Sequence, residues 1–174
     1  GKTEEVVYHT FNMPVIPPEL REDRGEIEAA LKGTLPDLIK EKDVLGDFHV
    51  HSNFSDGSNT IEEIANAATS FGYKFIGITD HSQTSRFAGG MDAEKLAERN
   101  NIIDEVSKKF PKLRILKGAE VDILGDGSLD YPDEILSQLD FVIGSIHQGF
   151  HKNVTERMIK AMKNPYLDII GHPT

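Results

Sequence analysis

From Val44 onward, short apolar and β-branched runs alternate with longer stretches of helical periodicity. The runs lie near 45–50, 74–79, 114–120, 140–146 and 167–171. They are almost continuously apolar, as parallel strands covered on both faces are. The stretches between them predict helices near 60–71, 92–109, 131–139 and 154–163. Asn59 with Glu62, or Thr60 with Glu63, offers a capping box for the first helix. Asp92 can cap the second, and Leu96, Ile103 and Val106 give it a buried side. Pro132 falls in the first turn of the third, and Asn153 with Glu156 can cap the fourth. Strands alternating with helices through short connections imply a parallel sheet with right-handed crossovers. The fold class is α/β, with a barrel or partial barrel as the best fit.

Residues 1–43 follow a different pattern. Pro14, Pro17 and Pro18 interrupt regular structure, and Pro17-Pro18-Glu19-Leu20 is placed to open a helix. Ile27, Ala30 and Leu31 supply its apolar face and Gly33 its stop. This segment reads as a linker with a packed arm, and residues 44–174 as the α/β domain. The chain opens Gly1-Lys2-Thr3 without Met and stops as a predicted strand ends, so a fragment of a longer protein is expected. An exposed last strand is expected to seek a partner, including another copy of the chain.

The chemistry is concentrated at the strand ends. His49 and His51 flank Val50, and His81, His147 and His172 each close an apolar run. Residues two apart on a strand share a face, so His49 and His51 present two imidazoles side by side. Neutral imidazole is the commonest protein metal ligand, and α/β folds build sites at strand C-termini. Asp56 adds a carboxylate in the loop after His51. Glu120 ends another apolar strand and needs a partner there, because a buried unpaired carboxylate costs several kcal/mol. A salt bridge to Lys or Arg is the plain alternative to a metal-bridging role. Asp80 is placed either to orient an imidazole or simply to make a turn. Arg86, on the loop after His81, can contact a phosphate or serve as a solvated charge. Gly89-Gly90 suggests that this loop moves. His151 reads as a surface residue, and His9 has no assigned role.

Composition narrows the metal chemistry. The 174 residues contain no cysteine, so thiolate ligands and disulfides are excluded and any ion must be held by His, Asp, Glu or water. The absence fits a cytoplasmic protein. No apolar run approaches a membrane span, and no signal-peptide pattern opens the chain. A net charge of −10 argues against a basic nucleic-acid surface. Three bound dications would add six positive charges, leaving −4 with the positive charge focused in one pocket.

His49-Val50-His51, Ser55-Asp56-Gly57, Thr79-Asp80-His81-Ser82, Glu120, Ser145-Ile146-His147 and Gly171-His172-Pro173 together resemble the successive motifs of the polymerase-and-histidinol-phosphatase (PHP) domain. The arm, with Val15-Ile16-Pro17-Pro18-Glu19-Leu20-Arg21-Glu22 and Gly25-Glu26-Ile27-Glu28-Ala29-Ala30, is similar to the linker into the C-terminal PHP domain of bacterial and archaeal family X DNA polymerases. The resemblance implies a distorted seven-unit β/α barrel of TIM-like form, present here as about five βα units. It implies three metal positions: His49, His51 and Glu120; Glu120, His147 and His172; Asp56 and His81. A later Asp-x-His of the family completes the first and third, and this chain stops before it, which leaves its activity by itself open. Zinc or manganese is expected, with iron as a further candidate. The implied function is metal-dependent 3′–5′ exonuclease and 3′-end processing of DNA in repair, beside an upstream polymerase domain. The alternatives are a histidinol-phosphatase type of phosphomonoesterase and a non-catalytic, metal-stabilised scaffold.

Overall fold

The structure, a computed structural model, describes residues 3–173. It divides into two compact units, Gly1–Glu41 and Lys42–Thr174. No helix among the described residues is long and apolar enough to cross a membrane.

The first unit contains α1 (Glu4–Thr10) and α2 (Glu26–Lys32), with a single 3-10 turn at Pro18–Leu20 between them. The helix expected to run on from Pro17 is therefore cut short. Asp23 and Gly25 take positive φ, +53° and +94°, which right-handed helix cannot accommodate. Gly33, at φ +67°, ends α2 with its N–H on Ala30 O, the left-handed stop that glycine makes without steric cost. Arg21 ties the unit together: its guanidinium donates to Ile16 O at 2.7 Å and to Glu4 Oε1 at 2.6 Å, and lies over the Tyr8 ring.

The second unit is a parallel sheet in the order β1-β2-β3-β4-β5, curled into an open half-barrel. Its strands are β1 (Gly46–Val50), β2 (Phe75–Ile78), β3 (Arg114–Asp122), β4 (Phe141–Ser145) and β5 (Ile169–Ile170). Its helices are α3 (Ile61–Ser70), α4 (Ala93–Lys109), α5 (Asp133–Leu136) and α6 (Val154–Ala161). The Thr60–Glu63 pair forms the capping box of α3, and Asp92 accepts from Lys95 N at the start of α4. Asn153, by contrast, sits at φ +47° and makes no cap hydrogen bond. Four-residue α5 is less than half the expected length. Tyr131 is buried with its hydroxyl on Met91 O, which commits it to the core instead of a helical turn.

One apolar cluster joins Ile61, Ala65 and Ala68 of α3 and Ile103 and Val106 of α4 to Ile76 and Ile78 of β2 and Ile115 of β3. A second joins Val121 of β3 and Val142 of β4 to Leu136 of α5 and Ala161 of α6. Each fully buried Ile, Leu or Val is worth about 1.5–3 kcal/mol, so these clusters fix the sheet against its helices. Gly77 and Gly118 leave room for the Phe141 ring; a Cβ on either would stand 2.5 or 2.6 Å from Phe141 Cζ. The sheet register sets Glu120 opposite Ile143 and Asp122 opposite Ser145, so the last residues of β3 stand beside the end of β4.

Candidate metal centre

The five strand-end histidines converge on one carboxylate. Glu120 is 1% exposed. Its Oε2 lies 3.3 Å from His49 Nε2, 3.3 Å from His51 Nε2 and 3.2 Å from His81 Nδ1. Its Oε1 lies 3.3 Å from His147 Nε2 and 2.7 Å from His172 Nε2. The rings form a closed circuit: His49–His51, His51–His81, His81–His147, His147–His172 and His172–His49 stand 4.4–6.2 Å apart by centroid. Asp56 reaches in from the β1–α3 loop, with Oδ1 2.8 Å from His51 Nδ1 and Oδ2 3.5 Å from His81 Nε2. Glu120 pairs with no Lys or Arg among the described residues, so the plain salt-bridge alternative is not what the structure shows.

Three sets of ligand atoms lie within 4.8 Å of one another: His49, His51 and Glu120; His51, Asp56 and His81; His81, Glu120 and His147. They overlap the sets implied by the family resemblance, though His51 and His81 each belong to two. His172 joins through its contact with Glu120.

The donor set fits divalent cations. A carboxylate offers roughly four lone-pair sites, yet five imidazole nitrogens crowd this one. His81 Nδ1 is buried and makes no hydrogen bond, despite standing 3.2 Å from Glu120. A nitrogen lone pair aimed into such a cluster is what a cation would occupy. Burial acts to raise the Glu120 pKa, but hydrogen bonds from His147, His49 and His51 hold it well below the usual carboxylate range. Burial lowers His81, outweighing the pull of Glu120 and keeping its imidazole neutral.

Asp122 is the functional residue that sequence reading missed. Its Oδ1 lies 2.6 Å from His147 Nδ1, while Thr84 and Ser85 donate to the same carboxylate. This contact fixes the ring and turns Nε2 toward Glu120. The signal was available: Asp122 is two residues after Glu120 and shares its strand face. Replacing Asp122 with asparagine should weaken metal affinity about 10–100-fold with the fold retained. Competition with a chromogenic chelator would measure this, and unchanged affinity would refute the orienting role.

Asp80 does not reach an imidazole. It accepts from Ser52 N at 2.7 Å, Ser52 Oγ at 2.9 Å and Ser55 Oγ at 2.8 Å, pinning the loop that carries Asp56. Beneath it, buried Arg99 of α4 donates to Gly118 O at 2.6 Å and stands 3.5 Å from Asp80 Oδ2. The Gly89-Gly90 segment is a packed turn rather than a free flap. A Cβ on Gly90 would meet Ser82 O at 2.0 Å, and Thr84 in the same loop is anchored to Asp122 and Asp130. Arg86 is exposed on this loop and lines a cleft shared with His147. His151 and His9 are exposed.

The His147 pKa is raised to about 9 by Asp122 first and then Glu120. His147 is therefore protonated in the metal-free protein at neutral pH. A cation taking its Nε2 must displace that proton, so affinity should rise with pH and flatten above about 9. The slope expected is about tenfold per pH unit for each proton displaced. Chelator competition between pH 6.5 and 8.5 checks it, and a flat profile would count against His147 as a ligand.

A family model described as PHP domain matches residues 47–170. A DNA polymerase/3'-5' exonuclease PolX of Bacillus subtilis is 42% identical over 99% of this chain and 30% of its own length. Probable phosphatases of Caldanaerobacter subterraneus and Clostridium acetobutylicum are 36% and 31% identical over 73% and 72% of this chain. The chain thus spans less than a third of the first relative and about half of the other two. With the family model covering most of its length and the motif residues gathered around Glu120, this chain belongs to the PHP-domain family.

Proposed function

We propose that this chain is the PHP part of a family X DNA polymerase and hydrolyses phosphodiester bonds at DNA 3′ ends in a metal-dependent reaction. One observation carries the reading: similarity to the polymerase/exonuclease runs over 99% of the chain, arm included, whereas similarity to the probable phosphatases spans 73%. In this reading residues 1–43 link to an upstream polymerase domain, and the half-barrel is part of a (β/α)7 barrel. The setting is cytoplasmic DNA repair.

His49, His51 and Glu120 would hold one ion, Glu120, His147 and His172 a second, and Asp56 and His81 contribute to a third. Imidazole and carboxylate suit zinc or manganese, and iron is compatible. Such ions lower the pKa of a water toward neutrality and neutralise phosphate oxygens. The protein's share is positional. Glu120, ionised despite burial, sets the imidazoles around one point. Asp122 fixes the His147 ring, and Asp80 holds the loop bearing Asp56. Arg86, which lines the cleft beside His147, would contact phosphate.

The test is release of nucleotide from a 3′-labelled oligonucleotide by the full-length protein with manganese or zinc, compared with turnover of histidinol phosphate. Faster turnover of histidinol phosphate would favour the phosphomonoesterase. Inactivity on both with metal bound would favour a scaffold.

A further inference from the structure

A cleft of about 520 Å³ opens beside His147, and two loops build its polar wall. The loop after β2 brings Arg86 and the loop after β4 brings Lys152. Arg157, also on the wall, is already committed. It donates to the carbonyls of Leu124, Gln148 and Gly149 and holds the second loop in shape. Arg86 and Lys152 differ from it. Both are exposed, and among the described residues neither side chain makes an ion pair or hydrogen bond.

In a chain with 29 acidic and 19 basic residues, two unpaired cations facing one cleft run against the prevailing charge. The carboxylate that lines the cleft, Asp122, is taken by His147, Thr84 and Ser85. Each cation also has an exposed phenylalanine within two residues of it in the chain, outside the cleft itself: Phe87 is 78% exposed and Phe150 64%. Cations with interleaved, solvent-facing aromatic rings are the equipment of single-strand recognition, in which phosphates pair with charge and unpaired bases stack. A small phosphomonoester carries its charge only at the reacting phosphate. Cations set along a cleft are useful when the substrate continues away from that phosphate with further charges.

We propose that Arg86 and Lys152 form a clamp for the backbone phosphates of a single nucleic-acid strand, holding it so that its terminal phosphodiester lies beside His147. The proposal rests on the phosphodiesterase reading above and specifies its substrate as an unpaired strand end.

The experiment measures KM and kcat of the manganese-loaded full-length protein on a short oligothymidylate over a series of salt concentrations. Wild type is compared with Arg86→Gln, Lys152→Gln, the double variant and Lys152→Arg. Metal content and the urea midpoint serve as controls on folding. The double variant should raise KM about tenfold with little change in kcat. Its log–log salt dependence should be shallower by about 1.4, because each single-strand phosphate contact contributes about 0.7. Lys152→Arg should keep the wild-type slope. A double variant with wild-type KM and slope, on a strand that wild type cleaves, overturns the clamp alone. Failure of wild type to cleave or bind the strand overturns the clamp and the DNA reading together.

Discussion

In the reaction proposed for the full-length protein, replacing Glu120 with alanine is expected to reduce nucleotide release more than about 100-fold, because loss even of a group that only orients a ligand costs 10–100-fold. Glu120 is the one carboxylate that touches all five strand-end imidazoles, at 2.7–3.3 Å. Its removal deprives two of the three proposed metal positions of their shared anion. Two further readouts separate this from general damage. The His147 pKa, held at about 9 by Asp122 and Glu120, should fall toward its ordinary value in the metal-free variant, though Asp122 keeps part of the elevation. Metal content should drop by at least one equivalent, and added manganese should not restore activity, whereas it should restore chelator-stripped wild type. An alanine variant that keeps its full metal complement and release rate would remove Glu120 from the mechanism.

Arg99→Met is expected to destabilise the protein by about 3 kcal/mol or more, within the range for breaking a buried charge pair. Arg99 and Asp80 are both 0% exposed. Methionine fills much of the volume but donates nothing. Gly118 O loses a partner at 2.6 Å, and Ile78 O loses a longer one at 3.4 Å. Asp80 keeps its three serine-derived hydrogen bonds but becomes a buried anion without a cation. The 3.5 Å separation of the pair places the larger part of the cost on the carbonyls and on Asp80's desolvation. Adding Asp80→Asn should therefore recover part of the loss. Urea unfolding of the two variants measures both effects, and a change below about 1 kcal/mol in Arg99→Met would refute the account. Because Arg99 joins the carbonyls that end β2 and precede Glu120, the single variant should also weaken metal binding.

Much of the α/β pattern was legible because it is local. The five strands follow from apolar runs, and the caps of α3 and α4 from residues three apart. The departures have tertiary causes. Tyr131 is drawn into the core, which shortens α5, and Asn153 takes a left-handed backbone instead of capping α6. β3 runs two residues past the expected end because Val121 and Asp122 find partners in Gly144 and Ser145. Arg99 sits between Leu96 and Ile103 at helical spacing, so its burial was signalled by position while its charge argued against it. The orienting role that adjacency to His81 offered Asp80, beside a plain turn, falls to Asp122, for which the sequence reading had no role: Asp80 turns toward Ser52 and Arg99, while Asp122 meets His147 from a neighbouring strand.

The sequence by itself determined the ligand chemistry and its address. Without cysteine, imidazole and carboxylate had to serve, and the apolar runs placed those groups at strand ends. Only the tertiary structure decided that positions as far apart as 49 and 172 meet on one buried oxygen pair, and that Arg86 and Lys152 share a cleft beside them. The physical reason is range. Side-chain periodicity is set within a few residues, whereas the separation of strand ends depends on register and on the curl of the whole sheet, both of which come from packing against α3, α4, α5 and α6.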